Sequence, residues 1–336
     1  MAIRSRITGV GGYLPPRVVT NDDLADFMDT SDEWITERTG IKQRHWVDPE
    51  MATSDLALEA ATAALESARV DKTDIDMLIV ATLSSDHFFP GTACFLQTKM
   101  GISEIPALDI RQQCTGFVYA MSIADQFIRT GMYKKILVIG AEIHSKGLDV
   151  STEGRDVTVL FGDGAGAVVV EATEINEDLN AQIYSTLLHA DGAGAKELWL
   201  PSPGMAFPDG LVTHDHLDRG DQYPQMNGRA VYVNAVKRMS EAIRDALETN
   251  SVSLDDVDLF FFHQANLRIN EAVAARLGIP AEKVYNTIQK YGNTTAATIP
   301  LGMRDAVADG SLQPGMLVAC AAFGSGFTWG SMLLRW

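Results

Sequence analysis

The chain has 336 residues, 46% of them hydrophobic and 21% charged, which suits two domains or one large one and excludes global disorder. Lys and Arg number 27 against 44 Asp and Glu, a formal net charge of −17. That balance excludes nucleic acid as a partner, because phosphate binding needs a basic surface.

In chain order, the opening MAIRSRITGVGGYLPP has basic residues but no long apolar stretch after them, so it does not read as a secretory signal. No run of 18 apolar residues suggests a membrane span, and a reducing cytoplasm is the expected location. From Ala57, ALEAATAALESARVDKTDIDMLIVAT reads as an amphipathic helix, a polar turn and a buried strand. An apolar segment at 105–110 leads to Cys114, and Phe117, Met121, Ala124 and Ile128 mark a helix after it. FGDGAG at 161–166 looks like a phosphate loop. It lacks G-x-G-x-x-G spacing and leads into a strand, so a dinucleotide site is rejected and the glycines are assigned to tight turns. Near Val236, VKRMSEAIRDALETNSVSLDDVDLFFFHQ repeats the helix, turn, Asp-x-Asp and strand pattern.

That repetition sets the expected architecture. Asp76 and Asp258 match at an offset of 182, residues 114–131 match 294–310 and 136–140 match 316–320 at an offset of about 180, and FGDGAGAVVV resembles FGSGFTWGSMLL at 162. The strands are apolar on both faces, as sheet buried between helices should be. Two similar α/β halves, 1–172 and 173–336, are therefore expected to pack about a pseudo-two-fold. Cys114 and Asn293–Thr294 become repeat-equivalent and face each other across it.

Three cysteines, Cys94, Cys114 and Cys320, are too few and too widely spaced for a disulfide framework or a zinc site. Cys114 falls near a helix start, where free N–H groups and the helix dipole lower a thiol pKa and favour a nucleophile. Cys94 and Cys320 sit in apolar surroundings and read as small buried hydrophobes. His263 ends one apolar strand, and Asn293 follows a glycine in KYGNTTAATIP. Alone, each would pass for a structural histidine and an ordinary helix cap. Papain-like proteases share the Cys, His, Asn order, but QQCTGF at 112–117 is not their cysteine context and a duplicated body is not their architecture.

TSDEWITERTGIKQRH at 30–45, CTGF, FGDGAGA, HQANLRI, YGNTTAA and FGSGFTWGS occur in this order. Together they resemble, essentially end to end, the β-ketoacyl-acyl carrier protein synthase III family of condensing enzymes. The resemblance implies an α/β thiolase-like fold with a layered α-β-α-β-α body, a homodimer, no cofactor beyond the coenzyme A thioester substrate, no metal, and a triad on Cys114, His263 and Asn293. It implies acyl transfer from acyl-CoA to Cys114, an oxyanion held by the backbone N–H groups of Cys114 and Ser325, and condensation with malonyl-acyl carrier protein or malonyl-CoA. Trp34, Arg38 and Thr39 match coenzyme A positions. Ala265, Asn266 and Arg268 match pantetheine and entrance positions, and Phe323 a further substrate position. Phe88 and Phe89 match the segment that reaches the partner subunit's acyl pocket.

The chain departs from the family in places. Gln112 and Gln113 precede the cysteine where small residues are common. Glu153 replaces a coenzyme-A-contacting Arg, with Arg155 as the substitute, and Val233 and Ala275 replace docking lysines although Arg268 and Arg276 remain. The long segment at 200–227 is expected, with Trp199, Met205 and Phe207, to line the acyl end of the site, while His214, Asp215, His216 and Asp218 face water. These departures resemble specialised relatives. The alternative is therefore a ketosynthase that condenses or transfers a longer or aromatic acyl group. The intact triad argues against a non-catalytic acyl-binding protein.

Overall fold

A computed structural model describes residues 3–174, 181–208 and 210–336. The strands, in order, are β1 (Ile3–Tyr13), β2 (Arg17–Thr20), β3 (Gln43–Trp46), β4 (Met77–Ala81), β5 (Ala107–Ile110), β6 (Lys135–Glu142), β7 (Gly164–Glu174), β8 (Gln182–Ala190), β9 (Leu198–Trp199), β10 (Gln225–Met226), β11 (Leu259–Phe262), β12 (Leu317–Gly324) and β13 (Thr328–Arg335). The helices are α1 (Asn21–Ala25), α2 (Asp32–Thr39), α3 (Thr53–Ala68), α4 (Thr92–Met100), α5 (Gly116–Arg129), α6 (Arg155–Thr158), α7 (His214–Asp218), α8 (Gly228–Thr249), α9 (Leu267–Leu277), α10 (Ile288–Tyr291) and α11 (Thr298–Ala308).

Two sheets carry the fold. The first has the order β1-β7-β6-β4-β5 and the second the order β11-β12-β13-β8. Read from β1 and from β8, each runs antiparallel, antiparallel, then parallel. A parallel bridge of Phe260 to Val284 stands beside β11 where β5 stands beside β4. Every residue of β4 and β11 is buried, because both faces are covered by helices. On the outer face of the first sheet α3 and α4 pack Leu56, Ala60, Ala64 and Leu96 against Leu78, Val80 and Ile139. Between the sheets α5 and α11 contribute Phe117, Met121, Ile299 and Met303. On the far side α8 and α9 bring Met239, Ile243 and Val273 against Phe260, Phe262 and Ala319. The result is the thiolase-like α-β-α-β-α layering. Each large apolar side chain buried this way contributes roughly 1.5–3 kcal/mol.

The two matched aspartates perform one job. Asp76 accepts from the N–H groups of Lys134 (2.7 Å) and Lys135 (2.9 Å), and Asp258 accepts from that of Leu317 (2.8 Å). Each clips the start of one parallel strand to its neighbour. Strand pairing also corrects the repeat register. Met77 faces Ile136 and Leu259 faces Val318, so the offset stays at 182 through β6 and β12, where the sequence match had 180. Val170 pairs with Ile136 and Leu334 with Val318, which makes the last offset 164 in place of 162. A two-residue slip leaves strand alternation unchanged, so hydrophobic pattern cannot see it. The counterpart of Cys114 is accordingly Ala296, and Gln113 (φ 44°) pairs with Thr295 (φ 51°), both left-handed.

The division expected at 172/173 falls inside β7. Trp199 pairs with Gln225 and Leu198 with Met226, so the segment between them is an excursion closed by a two-residue ribbon. His216, expected in water, is 1% exposed and packs at a tilt against Phe207 with ring centroids 4.1 Å apart. Cys94, expected to be buried, lies exposed on α4. Among the described residues no helix is long and apolar enough to cross a membrane.

Candidate active site

Three chain turns converge at the C-terminal ends of the parallel strands. After β5 the chain makes a 3-10 turn at Gln113–Thr115 and enters α5, which places Cys114 at the helix start as expected. After β11 comes His263, whose N–H donates to Ala321 O (2.9 Å). Before the turn Thr295–Ala297, Asn293 is pinned by its N–H to Leu160 O (2.8 Å) and by Gly162 N–H to its own carbonyl (3.1 Å). Gly140 in β6 makes room for that turn, since a methyl group there would collide with the carbonyl of Ala296.

The side chains divide into two sets of polar groups. The first surrounds Cys114, where the backbone N–H groups of Cys114 and Ser325 act on the sulfur. The Ser325 hydroxyl is turned away and donates to Leu198 O. Burial pushes the Cys114 thiol up to about 12, and the charge of Glu142 adds to the rise, while the two N–H groups pull it down. The resting group is therefore a thiol. The lowered pKa expected from the helix start is overridden by desolvation.

The second set is His263 and Asn293. The His263 ring is 1% exposed, its Nδ1 lies 2.8 Å from Thr298 Oγ1, and its Nε2 has no hydrogen-bond partner among the described residues. Burial lowers its pKa to about 3, so the ring is neutral. Asn293 Oδ1 accepts from Thr295 N–H (2.9 Å), which commits the oxygen and leaves the amide hydrogens for the cavity.

Glu142, at the end of β6, escaped notice in the sequence. It is fully buried and accepts on Oε1 from Thr82 Oγ1 (2.7 Å) and Leu83 N–H (2.8 Å), while Oε2 has no hydrogen bond among the described residues and lies 3.9 Å from His144 Nε2. Burial pushes its carboxyl up to about 7. His144 next to it reaches Thr295 Oγ1 at 2.5 Å.

Cys114, His263 and Asn293 line one cavity of about 540 Å³. Trp34, Arg38, Thr39, Ala265, Asn266, Arg268 and Phe323 line it too. Asn266 caps α9 and donates to Arg38 O (3.0 Å), tying α9 to α2 at the mouth. The guanidiniums of Arg38 and Arg155 lie 4.4 and 4.5 Å from the centroid of the Trp34 ring, although Arg155 does not itself line the cavity. Phe88 and Phe89 stay outside it, 51% and 81% exposed. Trp199, Met205 and Phe207 also stay outside, and among the described residues of their region Leu198 and Met226 reach in. The walls include Leu160, Phe161 and Ile269 as well as Val231, Ala235 and Met239. The last three recur every four residues along α8, a spacing that reads as core in a sequence. Among the described residues no cluster of three His, Cys, Asp or Glu side chains could hold a metal. A thiol beside two N–H groups, with a separate buried imidazole–amide pair in the same cavity, is suited to covalent transfer of an acyl group followed by chemistry on a second carbonyl compound.

Comparison with known proteins gives concordant matches. The family model described as 3-Oxoacyl-[acyl-carrier-protein (ACP)] synthase III matches residues 108–195, and that for its C-terminal part matches 247–336. The chain is 43% identical over 333 residues to a Beta-ketoacyl-[acyl-carrier-protein] synthase III of Koribacter versatilis (strain Ellin345), covering 99% of this chain and 98% of that protein. It is 46% identical over 332 residues to the protein of the same name from Thioalkalivibrio sulfidiphilus (strain HL-EbGR7), covering 98% and 99%. The crystal structure of 3-oxoacyl-[acyl-carrier-protein] synthase III from Aquifex aeolicus VF5 superimposes with a TM-score of 0.86 at 42% identity, covering 99% of this chain and 100% of that one.

Proposed function

The chain belongs to the β-ketoacyl-[acyl-carrier-protein] synthase III family, and on that premise we propose that it condenses an acyl-CoA primer with a malonyl thioester, as in the initiation of fatty acid synthesis. Malonyl-acyl carrier protein is the first-choice donor and malonyl-CoA the second. The observation that carries the reading is the convergence of Cys114, His263 and Asn293 on one cavity with two N–H groups at the sulfur.

The steps follow from the two sets of groups. Cys114 sulfur attacks the acyl carbonyl while the N–H groups of Cys114 and Ser325 hold the oxyanion. The carbon–sulfur bond to coenzyme A breaks, and the Cys114 proton leaves with the coenzyme A thiol. A malonyl thioester then enters, and His263 and Asn293 donate hydrogen bonds to its thioester oxygen. Loss of carbon dioxide leaves an enolate on that oxygen, which is the charge these donors are placed to stabilise. Its α-carbon attacks the acyl–Cys114 carbonyl, and the sulfur departs as a thiolate that takes one proton from water to restore the resting thiol.

The coenzyme A end is assigned to the Trp34 mouth. The Trp34 ring offers a face to the adenine, and Arg38 and Arg155 supply cations for phosphate, Arg155 in place of the Arg that Glu153 displaces. Thr39, Ala265, Asn266, Arg268 and Phe323 flank the pantetheine path. Phe88 and Phe89 are assigned to a homodimer interface, in which the exposed pair enters the partner's acyl pocket. The enzyme is assigned to the cytoplasm and uses no cofactor.

The test is to supply the purified protein with acyl-CoAs from acetyl to dodecanoyl and with either malonyl donor, and to measure carbon dioxide and β-ketoacyl product. Stoichiometric release of both supports the reading. Acyl transfer to another nucleophile, without carbon dioxide, refutes it.

A further inference from the structure

A neutral imidazole carries one proton, and the nitrogen that holds it decides what the ring can do. With the proton on Nε2, His263 donates into the cavity. With the proton on Nδ1, Nε2 is a bare base. The proposed decarboxylation, on which this inference rests, requires the donor form.

The one hydrogen bond of the ring among the described residues is the 2.8 Å contact of Nδ1 with Thr298 Oγ1. No backbone group is hydrogen-bonded to the ring among the described residues, and the N–H of His263 itself is committed to Ala321 O. The Thr298 hydroxyl has one proton and two acceptors in reach, Nδ1 at 2.8 Å and Thr295 O at 3.0 Å. Thr295 O is already served by the backbone N–H of Thr298. Giving the hydroxyl proton to Nδ1 therefore leaves no acceptor empty.

A second relationship favours the same choice. Thr298 is the first residue of α11, an 11-residue helix, so Nδ1 faces the positive end of its dipole. A nitrogen lone pair is stabilised there and an N–H is not. From these contacts we propose that Thr298 is a positioning residue that donates to His263 Nδ1 and so holds the ring in the Nε2–H form. The residue never touches substrate. Its effect is to turn a histidine that would otherwise be free to act as base into a hydrogen-bond donor matched to Asn293.

The test uses full-length protein labelled with ¹⁵N-histidine, with the His263 signal identified by its loss in His263→Ala. The wild-type protein and Thr298→Ser are expected to show the Nε2–H form. Thr298→Val, of the same shape without the hydroxyl, is expected to lose it. In parallel, Thr298→Val is expected to slow carbon dioxide release about tenfold, the effect of one lost hydrogen bond, with self-acylation by acyl-CoA little changed and Thr298→Ser restoring release. A wild-type signal in the Nδ1–H form overturns the assignment. So does a Val variant that keeps the Nε2–H signal. The spectrum decides the tautomer whether or not the protein decarboxylates anything. Failure of the proposed reaction would show separately, as absent carbon dioxide from the wild-type protein.

Discussion

Gly324 packs against Cys114 so closely that a methyl group on it would stand 2.7 Å from Cys114 Cβ and 3.1 Å from Cys114 N. The contact joins the end of β12, from the second half, to the nucleophile turn of the first, and it positions Ser325 N–H at the sulfur. Gly324→Ala cannot be accommodated by a side-chain rotation, because the nearest atoms include backbone. Its expected effect is displacement of the N–H pair and a loss of roughly 10²-fold in the rate of self-acylation, the order seen when one oxyanion donor is removed. Stopped-flow release of coenzyme A measures it. Acylation within twofold of wild type would show that the spacing is not needed.

Glu142 gives a pH-dependent prediction. Its carboxyl is raised to about 7, so its proton is held in the folded protein over a range where an unfolded Glu is ionised. That contribution is full below the usual Glu range near 4.5 and is lost as pH rises through about 7. Glu142→Gln removes the buried charge. Its melting temperature relative to wild type is expected to be higher at about pH 8 than at about pH 5. His144, whose Nε2 lies 3.9 Å from Glu142 Oε2, and His263 are both lowered to about 3 by burial and so stay neutral in the wild-type protein across this pH interval. The same variant should alkylate at Cys114 at lower pH, since the ionised carboxylate raises the thiol. A melting difference independent of pH would contradict this placement.

Primer choice should respond to Met226 more than to the tip of its loop. Met226 lines the cavity, whereas Met205 is 79% exposed and outside it. Met226→Ala is expected to change kcat/KM between short and long acyl-CoAs by several-fold, with each methylene accommodated contributing ~0.8 kcal/mol. Met205→Ala is expected to leave the ratio unchanged. The reverse pattern would return the loop tip to the role that its apolar residues suggest in the sequence.

Phe89, at 81% exposure, is the most exposed large hydrophobic side chain described, and Phe88 stands beside it. Sedimentation of the wild-type protein is expected to give a dimer, and Phe89→Asp is expected to weaken it. An active monomer at working concentration would remove the interface assignment.

Much of this was legible before any coordinates. The paired aspartates, the apolar strands and the helix after Cys114 follow from periodicity, and the ordered motifs pointed to Cys114, His263 and Asn293. What escaped has physical reasons. The repeat register differs by two residues from the one its apolar pattern suggests, a shift that strand alternation cannot reveal. A helix start is visible in sequence and favours a low Cys114 thiol pKa, whereas the burial that outweighs it, and the Glu142 charge that adds to the rise, come from residues distant in the chain. His216 was placed in water because its neighbours are charged, yet Phe207 covers its ring. Thr298 and Glu142 are ordinary members of TTAAT and GAE, and only the fold brings them to His263 and Cys114.

The most direct measurement is the mass of the acylated protein. The chain is incubated with acyl-CoA, digested, and the added acyl mass is located among the peptides carrying Cys94, Cys114 and Cys320. A malonyl thioester is then added. The expected result is one acyl group on the Cys114 peptide, discharged as a β-ketoacyl thioester with release of carbon dioxide. Acylation of the Cys94 or Cys320 peptide in its place, or an acyl–Cys114 that the malonyl thioester leaves untouched, would contradict the assigned chemistry.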